Sequence, residues 1–236
     1  MMLPVLVLAG GFGTRLKSVV PDLPKPLANI SGKPFLWWLL SHLENEGVKD
    51  VYLSVGYLHE HIQSFFGRKF NEMNLHYIVE TEPLGTGGAI KNACQKIPEP
   101  QILVLNGDTL AMADLNQFIG FASAYKTKLF MAVAKVENAS RYGTVIKNET
   151  NQITGFAEKG KLGSGLINAG IYLVDKSIFD EFELPPKFSF EVDLLTQFLP
   201  QLNLIAYDKV TDFIDIGIPE DYALGQQKVP AMVNKT

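Results

Sequence analysis

The residues best suited to hold a phosphate follow the first apolar stretch of the chain. That stretch, Leu3–Leu8, continues as Ala-Gly-Gly-Phe-Gly-Thr-Arg over positions 9–15. The three glycines permit positive φ angles and close backbone approach, so successive N–H groups can form an anion-binding concavity. The planar guanidinium of Arg15 suits phosphate oxygens. The segment therefore predicts a phosphate-binding loop, and an ordinary strand-to-helix turn is the alternative.

A second cationic residue, Lys25, stands between Pro24 and Pro26. The prolines fix φ and disfavour helix in their neighbours, so this lysine is presented on a stiff segment. A rigid ammonium beside a phosphate loop can stabilise charge that develops on a transferring phosphoryl group. A solvated loop lysine is the alternative reading of this segment taken alone.

Two aspartates come directly after apolar runs. Asp108 follows Ile102–Leu105 and Asp215 follows Phe213-Ile214, so both are predicted at the carboxyl ends of strands. Open α/β sheets place their ligand crevice at that edge. Carboxylates there can ligate Mg²⁺, which keeps its remaining positions for water and substrate phosphates. The alternatives are a turn at Asn106-Gly107-Asp108 and a helix cap at Asp215.

The segment Glu82–Gly88 is predicted to open a helix. The N–H groups of such a turn could meet a base edge or a phosphate. Glu80 precedes it, and an exposed charge at a strand end is the alternative reading of that residue.

Together these segments resemble the sugar-1-phosphate nucleotidyltransferases, also called nucleotide-sugar pyrophosphorylases. Further matching motifs stand in the same order along the chain, so that the resemblance runs from Leu3 to about Leu224. The matching segments are Gly-Gly-x-Gly-Thr-Arg-Leu, Pro-Lys-Pro, Glu82–Ala89, Asn106–Asp108, Arg141–Gly143, Phe156–Lys159, Asn168–Tyr172, Asp215–Gly217 and Pro219–Tyr222. Within the family, the sequence as a whole, rather than any single residue, is most similar to the guanylyltransferases that act on D-glycero-α-D-manno-heptose 1-phosphate.

The resemblance implies an activity: GTP and D-glycero-α-D-manno-heptose 1-phosphate would give GDP-heptose and pyrophosphate for surface polysaccharide biosynthesis. Arg15 and Lys25 would be the catalytic residues, and Asp108 and Asp215 would hold Mg²⁺. One departure is Ile218, where many members carry threonine. That change removes a hydroxyl near the metal residue but leaves the carboxylate itself in place.

The resemblance also implies two sets of binding residues. Nucleotide contacts would come from Leu8, Ala9, Gly10, Gly11, Gly13, Thr14, Glu80, Gly85, Thr86, Asn106 and Gly107. Sugar-phosphate contacts would come from Tyr142, Gly143, Glu158, Lys159, Asn168 and Glu191. At the place of Glu80 the family contacts the pairing edge of the base. A carboxylate there can accept from guanine N1–H and N2–H₂ together, which favours GTP.

Three other functions are compatible with parts of this pattern. The first is a mannose-1-phosphate guanylyltransferase or another pyrophosphorylase using UTP or dTTP. The second is a glycosyltransferase, but such enzymes typically carry Asp-x-Asp after a strand, where this chain has Asn106-Gly107-Asp108. The third is a non-catalytic regulator that binds sugar nucleotides, which would not need both cations and both aspartates.

Alternating apolar runs and helical patterns predict the elements that position these residues. They indicate an α/β fold with a Rossmann-like, mostly parallel sheet flanked by helices. From Leu129 to Val174 strands follow one another directly, which predicts a smaller antiparallel lobe. We expect a single domain over 1–236, with a nucleotide-binding core at about 1–128 and 201–224 and a sugar-phosphate lobe at about 129–200. A helix is predicted over Asp193–Leu199, and the polar tail Gly225–Thr236 is predicted to fray.

Composition narrows the class of protein further. The 236 residues carry a formal net charge of −4, which argues against a duplex-DNA partner. The single cysteine, Cys94, cannot form an internal disulfide. No apolar run reaches the roughly 18 residues that cross a bilayer, so we expect a cytoplasmic protein without a membrane partner. Members of the family are often dimers or larger, and the resemblance therefore allows a homodimer.

Overall fold

Strands and helices alternate along most of the chain in this computed structural model, which describes residues 2–11, 16, 23–158, 160 and 163–234. The strands are β1 (Val5–Leu8), β2 (Asn29–Ile30), β3 (Lys33–Pro34), β4 (Asp50–Val55), β5 (Lys69–Phe70), β6 (Met73–Val79), β7 (Gln101–Asn106), β8 (Thr109–Met112), β9 (Leu129–Val136), β10 (Thr144–Lys147), β11 (Ile153–Ala157), β12 (Gly165–Asp175), β13 (Ile205–Tyr207) and β14 (Asp212–Asp215). The helices are α1 (Phe35–Asn45), α2 (His59–Phe66), α3 (Gly85–Cys94), α4 (Leu115–Ala122) and α5 (Pro219–Val233), with 3₁₀ turns at Lys25–Leu27 and Lys176–Asp180 and a π-helical segment at Phe190–Thr196.

Unit 1, the first of two compact units, comprises Met1–Pro83, Leu105–Leu110 and Ile214–Thr236. Its strands β1, β4 and β6 pair in parallel in that order, and β5 joins β6 antiparallel. β1 and β4 are rich in fully buried aliphatic side chains, as expected for strands covered on both faces. The carboxyl ends of these parallel strands share one edge, and Leu8, Ala9, Gly10 and Glu80 lie at or just after the ends of β1 and β6.

Unit 2 comprises Leu84–Val104 and Ala111–Phe213. Here β11, β10, β12 and β9 pair antiparallel in that order, and β13 adds to β9 in parallel. The antiparallel arrangement predicted between Leu129 and Val174 is confirmed. The mixed, mostly parallel sheet with helices and small antiparallel sheets also confirms the predicted fold class.

The C-terminal segment is the largest difference from the prediction. The expectation that the tail frays from Gly225 onward is wrong for 225–233, because α5 continues to Val233. Gly225, Val229 and Met232 of this helix are buried. Their spacing is helical, but the surrounding polar residues obscured it. Among the described residues, no helix has the length and apolar content that a bilayer crossing requires.

The short strands are a second difference. β2, β3, β5 and β8 were not predicted, because two-residue strands and a strand that immediately follows a turn leave too short a pattern to recognise. β8 matters for the site, since it begins directly after Asp108.

His42 is a buried titratable side chain on α1. It is 1% exposed, and among the described residues neither ring nitrogen has a hydrogen-bond partner. Burial lowers the pKa of His42 from 6.5 to about 4. The neutral imidazole is therefore the form that the folded protein accepts, whereas the unfolded chain takes up the proton near pH 6.5.

This difference predicts an acid-sensitive fold. Between pH 6.5 and about 4 the unfolded state binds more protons than the native state, so the free energy of unfolding falls as the pH falls. The loss approaches about 3 kcal/mol at pH 4, at about 1.4 kcal/mol per pH unit. Urea unfolding from pH 7 to pH 4.5 should show a flatter pH dependence for His42→Leu than for the wild type. His61→Gln, at an exposed histidine on α2, serves as the control. Parallel curves for His42→Leu and the wild type would contradict the assignment.

Candidate active site

At the carboxyl ends of the parallel strands in unit 1, the residues that follow each strand are held to the neighbouring strand by backbone hydrogen bonds. Ala9 N–H donates to Ser54 O at 2.8 Å, and Glu80 N–H donates to Val55 O at 2.8 Å. Gly107 N–H donates to Leu8 O at 3.0 Å. These bonds bring the start of the glycine segment, Glu80 and the Asn106-Gly107-Asp108 turn to one edge.

Glycine is required at position 107 by the closeness of the backbone. A Cβ at this position would lie 2.5 Å from Leu8 O and 3.2 Å from Ala9 Cα. No side chain fits such a gap, so the turn after β7 can approach β1 only with glycine. Asp108, the next residue, is held at this edge as a consequence.

Asp108 and Asp215, far apart in sequence, come from neighbouring strand ends. β14 pairs with β8, and Ile216 N–H donates to Asp108 O at 3.0 Å. Asp215 Oδ1 accepts from Gly217 N–H at 2.6 Å, which orients its carboxylate. The structure therefore brings together the two acids that the sequence singled out.

Lys25 joins this pair. Its Nζ lies 2.5 Å from Asp108 Oδ2, and its side chain is 9% exposed. The position that a Cβ would take at Gly217 lies 2.8 Å from Asp215 Oδ1 and 3.2 Å from Lys25 Nζ. Because both atoms lie near this one point, Lys25 Nζ is at most 6.0 Å from Asp215 Oδ1. Lys25 is therefore paired with Asp108 and also lies near Asp215, so that all three charged groups share one region of the strand edge.

The donor set fits a magnesium ion better than a structural transition metal. Within the described part of the chain no three or more His, Cys, Asp or Glu side chains cluster as a metal site. Structural zinc sites need about four such ligands, whereas Mg²⁺ takes one or two carboxylates plus waters and phosphate oxygens. Asp108 and Asp215 supply two carboxylates on converging strand ends, so the residues present fit Mg²⁺.

Glu80 is oriented by a buried serine that sequence reasoning missed. Ser54 on β4 is fully buried, and its Oγ donates to Glu80 Oε1 at 2.7 Å. The same oxygen lies 3.0 Å from the position of a Cβ at Gly10. The Glu80 carboxylate is therefore held beside the glycine segment. The only sequence signal was one polar residue inside an apolar strand.

Three predicted sugar-phosphate residues stand side by side on unit 2. In the register, Thr144 pairs with Ala157 of β11 and with Ile167 of β12. Because both pairings are antiparallel, Gly143 falls opposite Glu158 on one side and Asn168 on the other. Tyr142 precedes them and its ring contacts Phe213, with centroids 5.8 Å apart.

The start of α3 packs tightly against the segment that contains Phe188. Gly85 has φ +72°, and a Cβ there would lie 2.5 Å from Phe188 O. Phe188 O accepts from Gly87 N–H at 3.0 Å and from Gly88 N–H at 3.3 Å. The expectation that this turn offers free N–H groups is therefore wrong for these two glycines, because a distant segment of the chain already uses them.

Thr86 and Glu191 form a direct pair within unit 2. Thr86 Oγ1 donates to Glu191 Oε2 at 2.7 Å and accepts from Phe190 N–H at 2.8 Å. Glu191 lies in the first turn of the π-helical segment, which begins at Phe190 rather than at the predicted Asp193. The earlier start follows from the Ser189 cap, whose hydroxyl accepts from Val192 N–H, and from the complete burial of Phe190.

Four of the predicted site residues lie outside the described residues: Gly13, Thr14, Arg15 and Lys159. Their assignments stay predictions. Gly11, which the structure does describe, is exposed. A Cβ at this position would meet no described atom within 4 Å.

Comparison with known proteins defines the class. Residues 4–231 match the nucleotidyl transferase family, and the chain belongs to that family. Among curated relatives, the D-glycero-α-D-manno-heptose 1-phosphate guanylyltransferase of Aneurinibacillus thermoaerophilus is 42% identical over 95% of this chain and 97% of its own. Mannose-1-phosphate guanylyltransferase 1 of Arabidopsis thaliana is 36% identical over 93% of this chain and 63% of its own. The crystal structure of HddC from Yersinia pseudotuberculosis complexed with GMP-PN superposes with a TM-score of 0.85 at 41% identity, covering 96% of this chain and 99% of that one. The predicted family membership and enzyme class are confirmed.

Proposed function

We propose that this protein transfers a guanylyl group from GTP to D-glycero-α-D-manno-heptose 1-phosphate, giving GDP-heptose and pyrophosphate. The observation that carries the proposal is the convergence of Lys25, Asp108 and Asp215 beside a glycine segment in a nucleotidyltransferase. The choice of substrates is supported by the 42% identity to a heptose 1-phosphate guanylyltransferase over nearly the whole chain.

The reaction needs little acid–base chemistry from the protein. An oxygen of the sugar phosphate attacks the α-phosphorus of GTP, a new P–O bond forms, and the bond to the β-phosphate breaks to release pyrophosphate. The attacking phosphate is already ionised at neutral pH, so no base has to remove its proton. Catalysis then consists of positioning and of stabilising charge.

Cationic side chains would stabilise the charge on the reacting phosphates. Lys25 is assigned to the α-phosphate, whose charge its ammonium would neutralise, and Arg15 is assigned to the β- and γ-phosphates. The Lys25 ammonium is held by Asp108, with Nζ 2.5 Å from Oδ2. That ion pair keeps the ammonium at the edge where the nucleotide is proposed to bind.

Asp108 and Asp215 are the residues that would hold Mg²⁺. When bound, the ion supplies charge neutralisation at the reacting phosphates. The protein's own contribution is to fix both carboxylates, through the β8–β14 pairing and the Gly217 N–H group.

Binding of the nucleotide is assigned mainly to unit 1, and binding of the sugar phosphate is assigned to unit 2. In unit 1, Leu8, Ala9, Gly10, Gly11, Glu80, Asn106 and Gly107 would contact the nucleotide, with Gly13 and Thr14 in the same loop. Gly85 and Thr86 of unit 2 would add to this set. The sugar phosphate would be held by Tyr142, Gly143, Glu158, Lys159, Asn168 and Glu191. Glycine at position 143 lets a hydroxyl approach the backbone, whereas the polar side chains can bond to hydroxyl or phosphate oxygens.

A substrate matrix tests the proposal. The purified protein is incubated with each of the four NTPs against the 1-phosphates of heptose, mannose, glucose and N-acetylglucosamine, and pyrophosphate release is measured. GTP with heptose 1-phosphate should give the highest kcat/KM. If kcat/KM is highest with mannose 1-phosphate, the protein instead has the activity named for the Arabidopsis relative. Pyrophosphate release only with UTP or dTTP would contradict the choice of guanine as the base.

Glu80 provides a sharper test of base recognition. Glu80→Gln replaces one carboxylate oxygen with a donor, so it cannot accept from guanine N1–H and N2–H₂ together. We expect kcat/KM for GTP to fall about tenfold or more, since buried groups are left unpaired. The matched control is Glu72→Gln, an exposed glutamate just before β6, the strand that Glu80 follows. Equal kcat/KM for GTP in wild type and Glu80→Gln would remove Glu80 from the base site.

A further inference from the structure

Tyr172 on β12 carries a phenol that is shielded from solvent inside unit 2. Its side chain is 0% exposed. Burial, and then the negative charge of Glu191, raise the pKa of Tyr172 well above 10. The hydroxyl therefore stays protonated at neutral pH and can donate. A buried hydroxyl has to find partners inside the protein, since water is not available to it.

Both of its partners are residues assigned to the sugar phosphate. Asn168 Nδ2 lies 2.6 Å from the Tyr172 hydroxyl, and Glu191 Oε1 lies 3.3 Å from it. The direction of each bond is fixed. A carboxylate can only accept, and Asn168 Oδ1 already accepts from Gly170 N–H at 2.9 Å. Asn168 therefore donates to Tyr172, and Tyr172 donates to Glu191.

The same series of hydrogen bonds extends to the start of α3. Glu191 Oε2 accepts from Thr86 Oγ1 at 2.7 Å and from Ser189 Oγ at 3.3 Å. Tyr172 thus occupies the middle of a continuous series of hydrogen bonds from β12 through the π-helical segment to α3. These bonds leave one N–H of Asn168 Nδ2, one lone pair of Asn168 Oδ1 and one of Glu191 Oε1 for further hydrogen bonds.

We infer that Tyr172 is a positioning residue, which fixes the amide of Asn168 and the carboxylate of Glu191 relative to each other for recognition of the sugar 1-phosphate. The inference rests on the proposed function of Asn168 and Glu191. Neither side chain is rigid by itself, because each has rotatable bonds. The shared phenol removes that freedom before the substrate binds, which lowers the cost of ordering them.

The test is Tyr172→Phe, which removes only the hydroxyl. KM for the sugar 1-phosphate is expected to rise about tenfold, the effect of losing one buried hydrogen bond. KM for GTP should change by less than about twofold, because Thr86, the member of this series that is assigned to GTP, bonds to Glu191 Oε2 and not to the oxygen that Tyr172 contacts. Tyr125→Phe is the control within unit 2, because the contact of its hydroxyl with Asn151 is long, at 3.5 Å.

A double mutant separates positioning from simple packing. In an Asn168→Ala background, adding Tyr172→Phe should change KM for the sugar 1-phosphate by less than about twofold, because one of the two groups whose relative position Tyr172 fixes is already gone. Independent tenfold effects would overturn the inference. So would a Tyr172→Phe enzyme whose KM for the sugar 1-phosphate equals that of the wild type, or one in which both KM values rise together.

Folding and the proposed function are checked in the same experiments. If Tyr172→Phe fails to fold, Asn168→Asp is used instead, because an aspartate cannot donate to the phenol and competes with Glu191 for its proton. The same selective rise in KM is expected, and an unchanged KM again overturns the inference. If the wild type transfers a nucleotidyl group to no sugar 1-phosphate, the proposed function fails before Tyr172 is tested.

Discussion

Asp215→Asn is expected to lower kcat about 10³-fold in a protein that remains folded. The amide is isosteric with the carboxylate, and its oxygen can still accept from Gly217 N–H, which now bonds at 2.6 Å. What the variant loses is one negative charge close to the Lys25 ammonium, at the point where both groups approach Gly217. The same loss is expected for Asp108→Asn, which also removes the partner of Lys25.

Nucleotide binding gives a readout that does not depend on turnover. The wild type should bind GTP about tenfold more tightly with Mg²⁺ than with EDTA, because Mg²⁺ is held by protein carboxylates and by the substrate phosphates together. Asp215→Asn should lose most of that difference. The control is Asp212→Asn, at the start of the same strand β14. Full activity of Asp215→Asn, with a thermal midpoint like that of the wild type, would remove Asp215 from the metal site.

Lys25→Ala is the second large expected effect, a fall in kcat of about 10²–10³, typical of one preorganised charged group. The side chain is only 9% exposed, and its partner Asp108 is 35% exposed. Removing the ammonium therefore leaves a carboxylate that water can still reach, and the fold should survive. Lys25→Arg keeps the charge and should recover part of the rate, but not all, since its planar fork differs from a compact ammonium.

The control for Lys25 is Lys33→Ala, at an exposed lysine on β3 whose ammonium lies 5.2 Å from the ring centre of Trp37. It removes one positive charge from the same unit. Rates of Lys25→Ala and Lys33→Ala that agree within about twofold would show that net charge, rather than position, matters. Arg15→Ala is predicted to match Lys25→Ala, since Arg15 is assigned to the leaving pyrophosphate.

The residues that we propose for the chemistry could largely be identified from the sequence. Asp108 and Asp215 each follow an apolar strand, and a strand end is where an α/β sheet presents its ligands. Lys25 is marked by its two prolines. The direction of the strands predicts that Asp108 and Asp215 lie at the same edge of the sheet, near Lys25. The pairing of β8 with β14 could not be predicted, because β8 is too short to show a recognisable pattern of apolar residues.

The residues that hold the proposed site side chains in place could not be identified from the sequence. Ser54 looks like one polar position in an apolar strand, and its bond to Glu80 spans 26 residues. Tyr172 looks like an ordinary core aromatic, and Thr86 meets Glu191 across 105 residues. Such pairs depend on strand register and on how helices pack, which local sequence does not specify. The tail helix was missed for a similar reason, since its buried positions are sparse.

Isotope exchange tests the central claim most directly. The protein is incubated with GDP-mannose or GDP-heptose, Mg²⁺ and labelled pyrophosphate, and the nucleotides are separated. Pyrophosphorolysis, the reverse of the proposed transfer, should move the label into GTP and release the sugar 1-phosphate, and Asp215→Asn should do so far more slowly. Label that stays in pyrophosphate while the sugar nucleotide is consumed, or while it is only bound, would contradict nucleotidyl transfer at this site.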